Sequence, residues 1–403
     1  MSEIQITRLG LKGDGITDDD RFIPFSLPGE TYEGSFESGI FKGKRLTDSP
    51  ARTTPSCPHF GTCGGCTLQH ADDSFLESWK AETIARALKA QGLSAPFRPI
   101  ATSPAKSRRR ATFSARRTKK TTQIGFHKRG SAEMFPLEQC HLLKPEIMAA
   151  LPACHALAGL GASRKGEIKI SVTHSAAGPD ISVLDAKQLD GPLRARLAGL
   201  ANEFSVARLC WNGEQIAERN RPVQPMGKAN VLPPSGAFLQ ATSEGEAALN
   251  AAMQEAVSGA KRVADLFAGC GTFSLPLALR AEVHAVENVA DMLKALDAGW
   301  RFAQGLKTVT TEARDLFSRP LVPLELKHYD AVVIDPPRAG AKAQMEEIAA
   351  SDISLVGAVS CNPISFARDA KILIDAGFSL DWLLPVDQFR WSGHVELAAK
   401  FSR

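Results

Sequence analysis

The sequence of 403 residues has no long apolar run and few cysteines. No stretch of 18 or more apolar residues occurs, so neither a transmembrane helix nor a membrane partner is expected. The N-terminus has no basic segment followed by an apolar run, so no signal peptide is indicated. Eight cysteines are too few for a secreted disulfide scaffold. These absences favour a cytoplasmic protein whose cysteines are free thiols, metal ligands or catalytic groups.

Composition places the chain among globular proteins. Hydrophobic residues make up 44% and charged residues 23% of the sequence, which argues against a disordered chain, a fibrous repeat or a coiled coil. The length exceeds that of one ordinary core, so two or three domains are expected. We expect the protein to be a monomer.

Basic residues are concentrated in one segment. The formal net charge is only +4, but residues 98–130 contain eleven Lys or Arg and no Asp or Glu. A local excess of this kind indicates contact with a polyanion such as RNA, with the rings of Phe113 and Phe126 available to stack on bases. A solvated loop surface would produce the same charge run.

Three regions differ in their pattern of apolar residues and turn signals. Residues 1–50 contain about five short β-like runs, which suit a small barrel of the kind that binds oligonucleotides. Residues 51–235 are strand-rich, with one helix predicted at 74–91 and an extended proline-rich connection at 222–236. Residues 236–403 alternate helix and strand. This pattern predicts an α/β fold with a doubly wound, mostly parallel sheet that binds ligands beyond the carboxyl ends of its strands.

The first predicted strand of the C-terminal region runs into a glycine-rich turn, Asp265-Leu-Phe-Ala-Gly-Cys-Gly-Thr-Phe273. Gly269 and Gly271 permit close approach of a ligand to the backbone. Glu287 ends the next strand, where a carboxylate can accept hydrogen bonds from ribose hydroxyls. The third glycine of the dinucleotide pattern is absent, and Asp265 suits a cationic ligand better than a pyrophosphate. The turn therefore indicates a nucleoside with a cationic sulfonium rather than NAD.

Two later strands end in residues that suit covalent catalysis at a flat ring. Asp335-Pro-Pro-Arg338 follows one strand, and its two prolines fix a rigid turn. Amino-directed methyltransferases have an aromatic residue in place of Arg338, so this sequence argues against methylation of an amino group. Cys361 ends the next strand, at the ligand edge of the sheet, and is the candidate nucleophile. Cys270 is the competing thiol, although a small apolar role is favoured for a cysteine within a glycine-rich turn.

Two candidate bases lie near the C-terminus. His394 and Glu396 are two residues apart, so on a strand they would point to the same side, and either could accept a proton. A surface histidine and a salt-bridged glutamate are the structural alternative.

The first third of the chain contains a cysteine pattern typical of a metal centre. Cys57, Cys63 and Cys66 are interspersed with three glycines, which permit the tight wrap that three thiolates on one centre require. A fourth ligand is needed, and Cys140 is the nearest remaining cysteine. Four thiolates suit zinc or an iron–sulfur cluster, and spacing alone leaves this choice open. Three histidines lie close enough in sequence to substitute for one cysteine: His59, His70 and His141.

Together these motifs resemble those of the RNA uracil-5-methyltransferases, a family that includes bacterial 23S rRNA and tRNA enzymes. DLFAGCGTF, DPPRAG, SCNP and HVE occur in that family's order, and the resemblance covers most of the chain. It implies a C-terminal Rossmann-like class I methyltransferase domain, an N-terminal TRAM domain with an OB-like barrel, and S-adenosylmethionine as cofactor. The cysteines match those that hold a [4Fe-4S] cluster in the iron–sulfur members, which favours the 23S rRNA branch.

The resemblance also implies roles for individual residues. Cys361 would add to carbon 6 of a uridine in RNA, and Glu396 would remove the hydrogen from carbon 5 after methylation. The cluster ligands would be Cys57, Cys63, Cys66 and Cys140. The S-adenosylmethionine pocket would be lined by Gln240, Phe267, Thr272, Glu287, Asp315 and Asp335. The sequence departs from the family pattern at 238–242 and at 389–394, and the second departure leaves substrate identity more open than reaction type.

Other classes remain as alternatives. A cytosine-5 RNA methyltransferase would share the thiol chemistry, but it usually has a second cysteine near the proline motif, and residues 335–338 contain none. A tRNA uracil-5-methyltransferase and a non-catalytic RNA-binding module with a relic sheet are further alternatives. An iron–sulfur radical methylase is not favoured, because five residues rather than three separate Cys57 from Cys63.

Overall fold

The computed structural model describes residues 2–164 and 166–403. Its N-terminal unit is one antiparallel sheet with the strands β1 (Ser2–Leu9), β2 (Gly15–Thr17), β3 (Phe22–Ile23), β4 (Thr31–Glu37) and β5 (Ile40–Thr47). They pair in the order β3-β2-β1-β4-β5. Ile4 and Ile6 of β1 alternate inward and pack with Ile23 and Tyr32. This half-barrel matches the sheet expected for residues 1–50.

The central unit combines a seven-stranded sheet with helices. In chain order, the helices and strands between residues 73 and 231 are α1 (Asp73–Lys89), β6 (Ala101–Thr102), β7 (Arg110–Arg117), β8 (Thr122–His127), β9 (Met134–Pro136), α2 (Pro145–Ala149), α3 (Leu151–Gly161), β10 (Ile168–Thr173), β11 (Asp180–Leu184), α4 (Gly191–Glu203), β12 (Arg208–Trp211), β13 (Glu214–Glu218), β14 (Gln224–Met226) and β15 (Ala229–Val231). The sheet order is β13-β12-β11-β10-β7-β8-β9. Helices α2, α3 and α4 pack with this sheet around one apolar core.

Strand β7 shows why one expectation about RNA contact was wrong. Its residues alternate between buried and accessible, and Ala111, Phe113 and Ala115 face the core. Phe113 is 0% exposed, so its ring cannot stack on a base. Phe126 is half-buried, and its ring packs 5.4 Å from that of Phe113.

The C-terminal unit is the predicted doubly wound α/β fold. Its elements are α5 (Ser243–Ala256), β16 (Arg262–Leu266), α6 (Ser274–Leu277), β17 (Glu282–Glu287), α7 (Ala290–Phe302), β18 (Val309–Ala313), α8 (Pro323–Leu326), β19 (Ala331–Ile334), α9 (Lys342–Ala349), β20 (Leu355–Ser360), α10 (Pro363–Asp375), β21 (Ser379–Asp387) and β22 (Glu396–Ser402). The sheet order is β18-β17-β16-β19-β20-β22-β21-β6. Apolar clusters cover both faces, as a parallel sheet requires. Strand order reverses between β16 and β19, which is where such sheets bind ligands.

Parts of the predicted central region belong physically to this C-terminal sheet. The helix predicted at 74–91 is observed as α1, and its residues Ile84 and Leu88 lie in the core beneath the sheet. Strand β6 pairs in parallel with the outer strand β21. Lys80 of α1 and Asp387 at the end of β21 form a buried ion pair with 2.5 Å between Nζ and Oδ2. The boundaries 1–50, 51–235 and 236–403 stay a prediction.

The proline-rich segment at 222–236 is not simply extended. Strands β14 and β15 form an antiparallel hairpin, with Gln224 opposite Val231. Gly227 turns the chain at a φ of +61°, a conformation that L side chains rarely adopt. Pro225 is tolerated because a two-stranded ribbon has an open edge that needs no N–H at every position.

Within the described ranges of the chain, no helix combines the length and apolarity needed to cross a membrane.

Candidate active site

The predicted site residues form a row along one edge of the C-terminal sheet. In the sheet order β18-β17-β16-β19-β20, the strand ends are occupied or followed in turn by Asp315, Glu287, Phe267, Asp335 and Cys361. Strand β22 runs antiparallel to β20 with Ser360 opposite Leu397, so its first residue, Glu396, begins at the same edge. The sheet therefore brings together residues separated by up to 129 positions.

The glycine-rich turn after β16 has left-handed backbone at three positions. Gly269 and Gly271 have φ values of +55° and +94°, and Phe267 has a φ of +62°. For a bulky aromatic residue this conformation is strained, and such strain is concentrated at ligand sites. The Phe267 ring lies 5.4 Å from that of Phe317. Glu287 accepts the Gly269 N–H at 3.1 Å, which fixes its carboxylate against the turn.

Asp315 and Thr272 complete the predicted set on this side. The Asp315 carboxylate accepts the Ser318 hydroxyl at 2.8 Å and the Phe317 N–H at 3.0 Å, and these bonds lower its pKa. Thr272 is half-buried in the glycine-rich turn. The name donor pocket is used below for the residues to which the family resemblance assigns the methyl donor: Gln240, Phe267, Thr272, Glu287, Asp315 and Asp335.

Two carboxyl groups, the fully buried Asp265 and the half-buried Asp335, suit this pocket to a cation. Asp265 is fully buried with its Oδ1 atom unpaired, and burial raises its pKa to about 7, partly offset by the Ser274 hydroxyl. Burial also raises the pKa of Asp335 to about 7. A positively charged ligand between such groups would favour their ionised forms and lower both pKa values. This electrostatic preference agrees with a sulfonium donor.

Gln240 joins the pocket through a segment that the basic stretch holds in place. Its Nε2 donates to Asp335 Oδ2 at 3.3 Å, and its side chain is almost fully buried. Arg109 donates to the Gln240 carbonyl at 3.0 Å and forms a buried ion pair with Glu246. Arg110 donates to the neighbouring Leu239 carbonyl at 3.2 Å. Part of the predicted RNA-binding stretch thus positions the donor pocket, because its guanidinium groups turn inward.

Four other basic residues of the stretch remain exposed. They are Lys106, Arg117, Lys119 and Lys120, the last three beside the β7–β8 turn. These four positions present charge that is accessible to a polyanion.

Cys361 lies half-buried at the wall of a cavity of about 820 Å³, which we call the substrate cavity. Lys12 from the N-terminal unit, Arg86 from α1, Arg338 and His394 also line it. Burial raises the pKa of Cys361, the carboxylates of Glu396 and Asp335 raise it further, and Arg338 opposes them. The thiol is accessible and is surrounded by cationic groups suited to an anionic substrate.

Of the two candidate bases, Glu396 is the one that begins strand β22, beside the strand that Cys361 follows. It is 4% exposed, and burial raises its pKa to about 8, with a further contribution from Asp335. His394 precedes β22 and is exposed. The expectation that His394 and Glu396 share one strand was therefore wrong. The His394 Nδ1 atom instead lies 3.4 Å from the guanidinium of Arg338.

The competing thiol, Cys270, is in the wrong place for a nucleophile. It is 2% exposed within the apolar core, and burial raises its pKa to about 12. The small apolar role expected for it agrees with this position.

The four cysteines from the first third of the chain converge on a second cavity of about 420 Å³, which we call the cysteine cavity. Cys57, Cys63, Cys66 and Cys140 all line it and are all half-buried. Gly65 N–H points to Cys63 Sγ at 3.4 Å, and Leu142 N–H points to Cys140 Sγ at 3.4 Å. In the part of the chain that the structure describes, no three His, Cys, Asp or Glu side chains are grouped closely enough to hold a metal ion.

Sequence reasoning missed Gln388. Its Nε2 atom donates to Gln240 Oε1 at 2.6 Å and also to Glu396 Oε2, and its Oε1 accepts the Ala241 N–H at 2.8 Å. Gln388 lies eight residues before Glu396, in the segment that contains both candidate bases, and this was the available signal. Its partners Gln240 and Ala241 are more than 140 positions away, so only the fold could reveal the contact.

The raised carboxyl pKa values predict a loss of stability at alkaline pH. Glu396 and Asp335 have folded pKa values of about 8 and about 7, above their ordinary 4.5 and 3.8. Their contribution to stability is complete below the ordinary values and is lost as pH rises through the folded values. For the ligand-free protein we expect a cost on the order of 2 kcal/mol or more per group between pH 4 and pH 9. Urea unfolding across this range should show a smaller decline for Glu396→Gln, and equal slopes would contradict the assignment.

Comparison of structures defines the class. The fold matches the crystal structure of a Pyrococcus abyssi tRNA (uracil-54, C5)-methyltransferase in complex with S-adenosyl-L-homocysteine, with a TM-score of 0.79 and 20% identity over 99% of each chain. This likeness shows that the two folds agree along the whole chain. The protein therefore has the fold of a class I S-adenosylmethionine-dependent methyltransferase, with additional N-terminal and central units.

Comparison of sequences narrows the class to a family. No family model matches the chain. It is 41% identical over 405 residues to an uncharacterised RNA methyltransferase of Brucella suis, covering 100% of this chain and 98% of that protein. It is 43% identical over 401 residues to one of Mesorhizobium japonicum, covering 98% and 96%. The chain belongs to the RNA methyltransferase family, and it is an S-adenosylmethionine-dependent enzyme that acts on RNA.

Proposed function

We propose that this RNA methyltransferase transfers a methyl group to carbon 5 of a uridine, through a covalent bond between Cys361 and carbon 6. One observation carries the proposal: the accessible thiol of Cys361 lies at the same sheet edge as the buried carboxyl of Glu396, and the charge of Glu396 influences the thiol. An enzyme that methylates an exocyclic amine would need no thiol here, because the amine nitrogen attacks the methyl group directly. It would also need no carboxylate to remove a hydrogen from carbon 5.

The thiol is needed because carbon 5 of uracil is a poor nucleophile. The Cys361 thiolate adds to carbon 6, and the electron pair of the 5,6 double bond moves to give an enolate. Carbon 5 then attacks the methyl group of the sulfonium, a carbon–carbon bond forms, and the neutral thioether S-adenosylhomocysteine leaves. Arg338 favours the thiolate, opposing the effects of burial and of the neighbouring carboxylates.

The second half of the reaction needs a base, because carbon 5 now carries both hydrogen and methyl. Glu396 removes the hydrogen as a proton, the 5,6 double bond re-forms, and the bond from carbon 6 to sulfur breaks. The electron pair of that bond returns Cys361 to the thiolate. S-adenosylmethionine, when bound, supplies the methyl group and a positive charge that favours ionised Asp335 and Glu396. Holding the methyl donor and the uracil ring in a reactive orientation can contribute up to about 7–11 kcal/mol to lowering the barrier.

The proposed RNA is 23S rRNA, and tRNA is the second candidate. The four cysteines, which match the iron–sulfur members of the uracil-5 family, support rRNA; the full-length likeness to a tRNA uracil-54 enzyme supports tRNA. Mass mapping of 5-methyluridine in ribosomal and transfer RNA, from cells with and without the gene, separates them. Transcripts that contain only uridine or only cytidine as pyrimidine test the base. Methylation of cytidine alone would replace this proposal with the cytosine-5 alternative.

We also propose that Cys57, Cys63, Cys66 and Cys140 hold a [4Fe-4S] cluster in the cysteine cavity. The ligands of such a cluster bind four different irons, so their sulfurs lie farther apart than the ligands of a single ion. The two N–H groups directed at cysteine sulfurs and the guanidinium of Arg108 in the cavity wall suit a negatively charged cluster. The cluster would join the loop at 57–66 to residue 140. We further propose that the N-terminal sheet of residues 2–47 acts as a TRAM domain and helps to bind the RNA.

Iron analysis tests the cluster. Anaerobically purified protein should be brown, absorb in the visible range and contain about four irons per chain. Cys140→Ala should lose most of the iron, because one iron would lack its protein ligand. Cys154→Ala, which removes a cysteine buried in the central core, should keep it. Colourless protein with stoichiometric zinc would overturn the cluster assignment.

A further inference from the structure

We infer that Gln388 is a positioning residue that aims Glu396 at the substrate and links it to the donor pocket through Gln240. The inference rests on the proposed role of Glu396 as the base. It concerns a chain of four side chains, Asp335–Gln240–Gln388–Glu396, in which each neighbour is joined by a hydrogen bond and all but the half-buried Asp335 are buried. The chain connects the carboxyl beside the methyl donor with the carboxyl that removes the proton.

The backbone fixes which end of the Gln388 amide faces the base. Its Oε1 accepts N–H groups from Ala241 at 2.8 Å and from Thr242 at 3.4 Å, so the oxygen must point away from Glu396. The Nε2 end then faces Glu396 and Gln240, and its two hydrogens match two acceptors. Gln388 is 3% exposed, so water cannot easily replace it.

The neighbours of Gln388 are also anchored. Lys80 pairs with Asp387 on one side and donates to the Phe389 carbonyl at 3.3 Å on the other. Both Lys80 and Asp387 are buried, so the segment before Glu396 is held against α1. Gln388 thus has a fixed backbone from which to orient the carboxylate.

The amide has a defined electrostatic effect on the base. Burial and the neighbouring Asp335 carboxyl disfavour the ionised form of Glu396, and the charges of Glu396 and Cys361 oppose each other. An amide that can only donate at Nε2 favours the ionised carboxylate, which is the form able to accept a proton. Gln388 therefore keeps the base active at a lower pH than burial alone would permit.

Release of the carbon 5 hydrogen isolates this effect. RNA labelled metabolically with 5-tritiated uridine, from cells lacking the gene, is mixed with excess enzyme and S-adenosylmethionine, and tritium in water is measured from pH 6 to pH 9. Because formation of the adduct depends on the titration of Cys361, methyl incorporation is measured in the same samples and tritium release is expressed relative to it. With Gln388→Met we expect the midpoint to rise by about one pH unit, a loss of about tenfold in release at low pH.

Two further variants make the result specific. Gln388→Glu keeps the acceptor for Ala241 but places a carboxyl oxygen against Glu396, so the midpoint should rise further than with methionine. Gln344→Leu is the matched control: Gln344 is buried and bonds the Leu321 backbone rather than Glu396, Gln240 or Asp335, so the midpoint should not move. An unchanged midpoint in both folded Gln388 variants, or an equal shift in the control, would overturn the inference.

Failure of the underlying function gives a different pattern. If wild-type enzyme releases no tritium, or if Glu396→Gln releases it at the wild-type rate, the proposed reaction or its base is wrong. If wild type and Glu396→Gln behave as proposed while Gln388 variants match wild type, only the role of Gln388 is wrong.

Discussion

Cys361→Ala is expected to reduce methyl transfer to RNA by about 10⁴-fold or more. Without the thiolate, carbon 5 of uracil does not become nucleophilic, and no other described thiol lines the substrate cavity. Binding of S-adenosylmethionine should be nearly unchanged, because Cys361 lies beyond the donor pocket, after β20 rather than β16 or β17. Methyl incorporation from labelled donor and calorimetric titration of the donor measure the two effects.

The matched control is Cys210→Ala. Cys210 is buried in β12 of the central sheet and does not line the substrate cavity, so its loss should leave the methylation rate within a few-fold of wild type. Methylation by Cys361→Ala at a rate comparable to wild type would remove the nucleophilic role. Loss of donor binding together with activity would instead indicate that the substitution disturbs the sheet edge.

Glu396→Gln is expected to trap the enzyme on its RNA. The substitution keeps the shape of the side chain but removes the base, so methyl transfer can proceed while the carbon 5 hydrogen stays in place. The bond from Cys361 to carbon 6 then persists, and a protein–RNA species should accumulate in denaturing gels to near the level of enzyme added. Turnover should fall by about 10²–10⁴-fold, the usual contribution of a general base.

An exposed glutamate provides the control for this change of charge. Glu346 on α9 is exposed, and Glu346→Gln should neither trap RNA nor slow turnover. The double variant Cys361→Ala with Glu396→Gln should form no covalent species. If Glu396→Gln methylates RNA with full turnover and no adduct, another group removes the proton.

Much of the row at the sheet edge could be predicted because each member follows a strand of the same type. Glu287, Asp335 and Cys361 stand at or after apolar runs, and parallel strands place such positions on one edge. Asp315 follows the mostly polar strand β18 and was expected from the family resemblance alone. The position of Glu396 was harder to predict from the sequence, because Glu396 begins an antiparallel strand rather than following a parallel one. His394 was misplaced because the strand starts two residues later than its spacing suggested.

Charge alone could not show which basic residues of the segment 98–130 turn inward and which remain exposed. Arg109 and Arg110 are turned toward Leu239 and Gln240 by contacts that are 129 or more positions apart, while Lys119 and Lys120 remain exposed. Phe113 is different: apolar residues alternate around it, so the period of two could have shown that it faces the core, although we expected it to stack on bases. The Gln388 contacts depend on backbone N–H groups of a distant segment, which carry no sequence signature.

The pairing of residues 96–103 with the outer strand β21 has a consequence for how this enzyme could be divided. Leu383 N–H donates to the Pro96 carbonyl at 2.9 Å, and Ser103 N–H donates to the Asp387 carbonyl at 2.9 Å. A fragment beginning near residue 236 would leave that strand with unsatisfied backbone groups, an edge prone to join other chains. It would also lose Lys80, the partner of Asp387. We therefore expect a fragment of residues 236–403 to be less stable and more prone to aggregate than the whole chain, because it lacks partners that residues 80–103 supply.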